Sequence, residues 1–374
     1  MSPWNDLVFI TGATGFIGTH TLCALLRDGY RVRAAVRSKA RGEALLGHPE
    51  VQALNPGAQL TFAIVPDIAA PGAYGSALDD VTHVIHHASP LASGADTIPP
   101  DQHEGHFVTP AVRGTLNLLE AAASAGSVRR VVITSSFIAL VSMAELEGTC
   151  RRNPQRPVTA DDRVPFAPGP YKSNFAAYQA SKVAALLEAD AWVARERPGF
   201  EVVHLLPGFV LGPHLGATTP QELMRSTNSS VLALLLGQRG LSFPGAAVHV
   251  EDVARAHVAA LSPRVVVYGG GGFILSQPAR WNDAIGVAKR AFPKGFESRT
   301  LVERGDLGTI DLPMDTATAE RALRFEFRGF EEQVRSVVGQ YLELRRAKGG
   351  MGGSRAGRDP AKHQASSQSS HAKV

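Results

Sequence analysis

The sequence predicts a doubly wound α/β fold with a smaller C-terminal lobe. Short apolar runs rich in β-branched residues alternate with helical patterns as far as about residue 210, which favours a parallel sheet covered by helices on both faces. A glycine-rich turn directly follows the first run, and a Tyr-x-x-x-Lys pair lies on a later helical pattern. Together these observations predict a Rossmann-type domain with its chemistry in the crevice at the carboxyl ends of the strands.

A strand, a glycine turn and a helix follow one another at the start of the chain. Residues 7–10 are apolar, and a helical pattern begins at about Phe16. Gly12 allows the tight turn, Gly15 lets the backbone approach a pyrophosphate, and Gly18 lets the helix pack closely on the strand. The spacing is GxxGxxG rather than GxGxxG, and an ordinary glycine-rich turn is the alternative. The predicted cofactor contacts of this turn are Gly12, Thr14, Gly15, Phe16, Ile17 and Gly18.

The second predicted strand, residues 31–36, ends at Arg37. In this fold the strand end faces the adenine ribose, where an acidic residue selects NAD and a basic residue accommodates a 2′-phosphate. Arg37 can make a charge-assisted, bidentate contact with that phosphate. Arg41 can add a second charge, and a solvated basic loop is the alternative for both residues. The sequence therefore predicts NADP(H) rather than NAD(H) as the cofactor.

The third and fourth predicted strands end at the same edge of the sheet. After residues 60–65, we expect Asp67 to bind the adenine amino group and Ile68 to lie against the ring. His86 and His87 on the fourth strand are candidates for acid–base chemistry, but we favour a structural role because the chain supplies a better proton donor. The predicted cofactor contacts after these strands are Asp67, Ile68, Ala88 and Ser89.

The better donor is a Ser-Tyr-Lys set. Ser136 ends the fifth predicted strand, and a helix over residues 175–194 presents Tyr178 and Lys182 on one face, since residues four apart are neighbours. A phenol is protonated at neutral pH, and a nearby ammonium is expected to lower its pKa. Tyr178 would give its proton to a carbonyl oxygen as hydride reaches the carbon, with Ser136 as a second donor to the developing charge. Tyr178 and Lys182 are also predicted cofactor contacts, with Lys182 on the hydroxyls of the nicotinamide ribose. Ser135 is the alternative to Ser136.

These motifs resemble the extended short-chain dehydrogenase/reductase family, and most closely its branch of dihydroflavonol reductases and yeast-type aldehyde and ketone reductases. The matching segments are 11–18, 36–38, 87–90, 109–115, 134–136, 178–182, 207–213 and 248–257, within a similarity that spans about residues 6–344. The resemblance implies that Ser136 is the catalytic serine, and that Pro207 and Val210 contact the nicotinamide. Other members of the wider family carry a catalytic Asn where this chain reads Thr-Pro-Ala-Val at 109–112, which leaves the proton relay to solvent open.

The resemblance implies an NADPH-dependent reductase acting on a ketone or aldehyde of a small molecule, for example a ketone of a fungal polyketide reduced to a secondary alcohol. A hydroxysteroid-type dehydrogenase and a sugar-nucleotide epimerase or dehydratase are alternatives on the same scaffold. The epimerase class usually prefers an acidic residue where Arg37 stands. A cofactor-sensing regulator without catalysis would not need the Ser-Tyr-Lys set.

We expect three parts along the chain. Residues 1–210 form the NADP-binding domain, with a proline-rich active-site flap at 138–176 that is too long for a simple connection. Residues 211–344 form mainly the substrate-binding lobe, part of which returns to the main core around 246–262. Residues 349–374 have no apolar period and are expected to be a disordered tail.

Charge and cysteine content exclude several classes of function. The net charge is +4, but seven Lys and Arg against one Asp after Leu344 carry +6, which leaves −2 on residues 1–344. The folded part is therefore not a basic nucleic-acid binder. Two cysteines cannot form a disulfide framework or a cysteine-based metal site. We expect no metal, no membrane association, a cytoplasmic location, and a monomer or homodimer.

Overall fold

Strands and helices alternate along the chain in the computed structural model, which describes residues 6–90, 98–267 and 271–352. The strands are β1 (Leu7–Thr11), β2 (Arg31–Val36), β3 (Leu60–Ile64), β4 (His83–His86), β5 (Arg130–Thr134), β6 (Glu201–Pro207), β7 (Phe209–Leu211), β8 (Arg239–Pro244), β9 (Ala246–His249), β10 (Gly272–Leu275), β11 (Gln277–Pro278) and β12 (Asp306–Ile310). The helices are α1 (Phe16–Arg27), α2 (Lys39–Leu46), α3 (Pro49–Gln52), α4 (Thr109–Ala125), α5 (Met143–Leu146), α6 (Asn174–Glu196), α7 (Pro220–Leu223), α8 (Ser229–Leu235), α9 (Val250–Ala259), α10 (Asp283–Ala291), α11 (Pro293–Glu297), α12 (Ala317–Leu323) and α13 (Phe330–Gly352).

A seven-stranded sheet forms the centre of the part of the chain that the structure describes, in the order β3-β2-β1-β4-β5-β6-β10. All of its neighbouring strands are parallel. This is the strand order of a dinucleotide-binding Rossmann sheet with β10 added at one edge. The order reverses between β1 and β4, so a crevice opens there at the carboxyl ends of the strands. The predicted fold class is confirmed.

Helices cover both faces of this sheet because successive strand residues point to opposite sides. Val8 and Ile10 of β1 belong to one apolar core, which α1 and α9 cover. Leu7 and Phe9 belong to a second core, on which α4 and α6 pack. Burial on both sides explains why β1 reads as a continuous apolar run rather than an alternating one.

The chain after β6 builds a second apolar core. Trp281 is fully buried at its centre and donates from Nε1 to the carbonyl oxygen of Pro244 at 3.2 Å. Helices α8, α10 and α13 surround this core. The chain returns to the main sheet not only in the expected segment 246–262 but also at β10, which pairs with β6 and forms one edge of the sheet.

The segment expected as a flap, residues 138–176, is attached to the C-terminal part of the chain. The N–H of Val158 donates to the carbonyl oxygen of Pro313 at 2.8 Å, and the carbonyl of Val158 accepts from Asp315 N–H at 2.8 Å. Arg152 also pairs with Glu145 at 2.8 Å inside the segment. These bonds hold the segment in a defined position between β5 and α6.

The helical structure at the C-terminal end extends further than expected. Helix α13 continues to Gly352, four residues into the predicted tail. Residues 353–374 lie outside the described residues. Within the described ranges, no helix has both the length and the apolar character needed to cross a bilayer.

Gly18 lies where a side chain does not fit. A Cβ at this position would be 2.0 Å from the carbonyl oxygen of Gly12. We expect Gly18→Ala to push α1 away from the turn and lower the free energy of unfolding by about 1–3 kcal/mol. Gly199→Ala is the control, since no described atom lies within 4 Å of its added Cβ. Urea denaturation measures both variants, and a Gly18→Ala midpoint equal to that of the control would contradict the close packing.

Candidate active site

The glycine turn lies at the point where the strand order reverses. Gly12 has φ of +70°, and a Cβ there would be 2.9 Å from the backbone nitrogen of Ala88 after β4. Thr14 and Gly15 are exposed, and α1 begins at Phe16 with neither a side-chain cap nor an acidic residue in its first turn among the described residues. The first N–H groups of α1 are therefore open to an anion. The turn fits the pyrophosphate of a dinucleotide.

The two predicted arginines follow β2 on the surface. Arg37 is exposed and comes directly after the last residue of the strand. The Ser38 hydroxyl accepts from Arg41 N–H and caps α2, which puts Arg41 in the first turn, where a positive side chain opposes the helix dipole. In the described ranges neither guanidinium forms a salt bridge. Both charges are thus placed to meet a phosphate at the end of β2.

The predicted adenine contacts lie just after β3. One carboxylate oxygen of Asp67 accepts from Ala69 N–H at 2.8 Å, and Asp67 is exposed. The carbonyl of Ile68 accepts from Asn117 Nδ2 at 2.9 Å. Gly114 of α4 passes so close that a Cβ there would lie 2.7 Å from Cδ1 of Ile68. These contacts fix both residues at the carboxyl end of β3.

Four further predicted cofactor contacts differ in their exposure to solvent. Phe16 and Ile17 are half-buried and pack against the core that α1 covers. Pro207 ends β6 and is buried. The side chain of Val210 in β7 belongs to the same core as Phe16, so a contact from Val210 to a cofactor would come from its backbone.

Tyr178 and Lys182 lie one turn apart on α6. Lys182 Nζ is 5.5 Å from the centre of the Tyr178 ring and donates to Ser89 Oγ at 3.1 Å. Ser89 follows β4, next to the backbone that Gly12 approaches. This hydrogen bond therefore joins α6, which carries the predicted proton donor Tyr178, to the predicted cofactor side of the crevice.

Burial shifts the pKa of both groups towards their neutral forms. It lowers the pKa of Lys182 from 10.5 to about 8 and raises the pKa of Tyr178 from 10.0 to about 12. The expectation that Lys182 lowers the phenol pKa is wrong for this arrangement. Desolvation of the phenolate by burial is the cause of the raised pKa of Tyr178, and the Lys182 ammonium donates to Ser89 instead. Tyr178 is therefore a fully protonated donor at neutral pH.

Two serines follow β5 and face different surroundings. Ser135 is buried and lies in the wall of a small cavity beside Lys182. Ser136 is half-buried, and its Oγ accepts from Ile138 N–H at 3.4 Å, which leaves its own O–H able to donate. Gln179, the neighbour of Tyr178, donates to the carbonyl of Ile138 at 3.3 Å and so holds this turn against α6. Ser136 remains the predicted oxyanion donor.

His86 and His87 are buried parts of the scaffold. Nδ1 of His86 lies 2.8 Å from Thr11 Oγ1, and Nδ1 of His87 lies 2.6 Å from Thr134 Oγ1. Burial lowers the pKa of His86 to about 3 and that of His87 well below its ordinary value. Both imidazoles are therefore neutral, and they tie β4 to β1 and β5, in agreement with the structural role favoured above.

The fold and the site together define a Rossmann-type protein with a dinucleotide-binding turn and a Ser-Tyr-Lys set beside it. The NAD dependent epimerase/dehydratase family matches residues 8–270. The chain belongs to this family, which confirms the resemblance drawn from the sequence motifs.

The similarity to curated proteins spans nearly the whole chain. The ketoreductase CTB6 of Cercospora nicotianae is 36% identical over 352 residues, which cover 91% of this chain and 96% of that protein. The NAD-dependent epimerase/dehydratase FUM13 of Gibberella moniliformis is 35% identical over 365 residues, with 92% and 97% covered. Yeast methylglyoxal/isovaleraldehyde reductase Gre2, solved with NADPH, has a TM-score of 0.73 at 24% identity and covers 91% of this chain and 99% of its own. The likeness to Gre2 supports the fold.

The two serines give a matched test of the oxyanion donor. We expect Ser136→Ala to lower kcat for carbonyl reduction by about 100-fold or more, as removal of one oxyanion donor costs about 2.7–4 kcal/mol. Ser135→Ala makes the same chemical change one residue away and should cause a smaller fall. NADPH oxidation followed by absorbance measures both rates. A larger fall in Ser135→Ala would transfer the role to Ser135.

The cofactor preference is expected to depend on Arg37. Arg37→Gln should raise KM for NADPH by about 10-fold or more, because a hydrogen bond between charged groups contributes about 1.5–3 kcal/mol, and should leave KM for NADH nearly unchanged. Lys39→Gln is the control, since Lys39 is also an exposed cation close to Arg37 in sequence and faces Glu43 at 3.8 Å. If both variants changed KM for NADPH and for NADH by the same factor, the cofactor preference would depend only on the general charge of this surface.

Proposed function

We propose that this chain is an NADPH-dependent ketoreductase that reduces a ketone of a secondary metabolite of the polyketide type to a secondary alcohol. The Lys182–Ser89 hydrogen bond carries the proposal, because it brings the proton-delivery helix and the dinucleotide turn to one crevice. The names of two relatives support the reaction class. CTB6 is called a ketoreductase, and so is sphI of Aspergillus fumigatus, which is 33% identical over 353 residues.

Two regions of the crevice would hold the cofactor. The exposed backbone of Thr14 and Gly15 would bind the pyrophosphate, and Arg37 would bind the 2′-phosphate. When bound, NADPH supplies the hydride that adds to the carbonyl carbon of the substrate.

The proton comes from the chain itself. Tyr178 donates its phenolic proton to the carbonyl oxygen as negative charge develops there, and Ser136 donates a hydrogen bond to the same oxygen. Because the pKa of Lys182 is about 8, its side chain is mainly cationic at neutral pH and stabilises the phenolate left on Tyr178. Lys182 then returns a proton to Tyr178 before the next turnover.

An aromatic cluster beside Ser136 suggests what kind of substrate the crevice takes. The ring of Phe137 lies 6.1 Å from that of Phe209, which in turn lies 5.7 Å from Phe243 and 5.3 Å from Trp281. Phe209 and Phe243 are only half-buried, so they offer an apolar surface to a neighbouring molecule. This surface favours an aromatic or other apolar ketone over a charged sugar nucleotide.

The proposal extends to the organisation of the protein. Residues 1–210 would bind the cofactor, and residues 211–344 would contribute most of the substrate side. Cys23 and Cys150 are both free thiols, which favours a reducing compartment such as the cytoplasm. The enzyme would act as a monomer or homodimer on a small-molecule carbonyl compound.

The test is NADPH oxidation by the purified protein with a panel of aromatic ketones, diketones, aldehydes and sugar nucleotides. We expect turnover of apolar ketones with NADPH and about 100-fold or greater loss of kcat in Tyr178→Phe, the usual range for removing a general acid. NADPH binding, followed by fluorescence, should be unchanged in that variant. Conversion of a sugar nucleotide without net NADPH oxidation, or full ketone reduction by Tyr178→Phe, would contradict the proposal.

A further inference from the structure

A cavity of about 20 Å³ lies beside Lys182, between α6 and the strands of the main sheet. Polar side chains from several elements line it: His86, Ser89, Thr115, Thr134, Ser135, Lys182 and His204. A bound water molecule needs about 10–15 Å³ and two to four polar partners. The cavity therefore has the size and the polarity to hold one water molecule next to the lysine.

His204 of β6 presents a free ring nitrogen in this region. The side chain is buried, and Nε2 lies 3.4 Å from Asp190 Oδ1. Nδ1 is also buried and has no hydrogen-bond partner among the described residues. Since the ring lines the cavity and its other nitrogen faces Asp190, Nδ1 is the atom placed to bind what the cavity holds.

The remaining partners for a water molecule are also present. Lys182 has three N–H donors as an ammonium, and Ser89 accepts one of them at 3.1 Å. The Thr115 hydroxyl donates to the carbonyl of Ala111 at 2.9 Å, so its oxygen can accept. A water molecule here can accept from Lys182 and donate to His204 Nδ1 and Thr115 Oγ1.

Asp190 connects this buried site to the surface. Its side chain is 34% exposed, and it accepts from Arg163 Nε at 2.7 Å. Although partial burial opposes the effect, hydrogen bonds from His204 and Arg163 lower the pKa of Asp190 overall. Asp190 is therefore a carboxylate that stabilises positive charge on His204 and touches bulk water.

We propose that one water molecule in this cavity joins Lys182 to His204, and that the His204–Asp190 pair is the route by which Lys182 recovers protons from solvent. The proposal rests on the reductase function, because Tyr178 must consume one proton for each carbonyl reduced. After Lys182 has given a proton to the Tyr178 phenolate, the Nδ1–H bond of protonated His204 breaks, and the cavity water passes the proton on. An N–H bond forms on Lys182, and the pair then takes one proton from bulk water.

His204 acts through Lys182 and is a positioning residue in this scheme. The other titratable groups that face Lys182 are Tyr178 and His86. Burial raises the pKa of Tyr178 to about 12 and lowers that of His86 to about 3. Each of these two groups keeps one protonation state near neutral pH in the resting site, whereas His204 lines the cavity beside Lys182 and pairs with the half-exposed Asp190.

A crystal structure of the wild-type protein at about 1.5 Å resolution tests the water link without any substrate. The expected result is one ordered water within hydrogen-bond distance of both Lys182 Nζ and His204 Nδ1. An empty cavity, or a water that contacts only one of the two, would overturn the proposal. This outcome does not depend on which carbonyl compound is reduced, so it separates a failure of the relay from a failure of the proposed function.

Kinetics test the relay itself with His204→Gln and Asp190→Asn. The first turnover uses the proton already on Tyr178 and should keep its wild-type rate, whereas the steady-state kcat should fall about 10-fold at pH 8–9 and less at pH 6, with KM unchanged. Asp162→Asn is the control, because Asp162 is similarly exposed and also pairs with an arginine, Arg152. The proposal would be overturned if both variants kept the wild-type dependence of kcat on pH. It would also be overturned if the first turnover slowed as much as the steady-state rate. Asp190→Asn keeps the test decisive if His204→Gln does not fold.

Discussion

The site depends on the close approach of the glycine turn to the end of β4. Gly12 has no room for a side chain because the backbone of Ala88 lies against it. The N–H of Ala88 donates to Thr11 Oγ1 at 3.1 Å, which locks the exits of β1 and β4 together. Ser89 is thereby placed to receive the Lys182 ammonium from α6. One backbone contact thus sets the distance between the cofactor turn and the proton donors.

The electrostatics of the crevice follow from burial. Burial away from water makes the phenol of Tyr178 a weaker acid and the ammonium of Lys182 a stronger acid. The resting site therefore keeps the Tyr178 phenol protonated, as its proposed role as proton donor requires. Because a buried lysine with a pKa of about 8 gives up protons readily, rapid turnover needs a way to replace them. The cavity lined by His204 is placed to meet that need.

The sequence predicted the local features well. The glycine turn, the strand ends and the Tyr178–Lys182 face depend on neighbouring residues and on regular periodicity, and the structure has them at the expected positions. Sequence reasoning missed that His204 lines the cavity beside Lys182 and pairs with Asp190, because no spacing rule links a residue of β6 to residues of α6. It also gave the wrong direction for the Tyr178 pKa, since burial depends on contacts distant in sequence. The role of Ser136 stays a prediction.

The most direct test of the account is a crystal structure of the protein with bound NADP⁺. We expect the pyrophosphate on the backbone of Thr14 and Gly15, the 2′-phosphate at Arg37, and the nicotinamide ribose beside Tyr178 and Lys182. That result would place hydride donor and proton donor in one crevice. Cofactor bound in the reverse direction, or at a site away from the glycine turn, would contradict the central claim that this contact between β1 and β4 organises the chemistry.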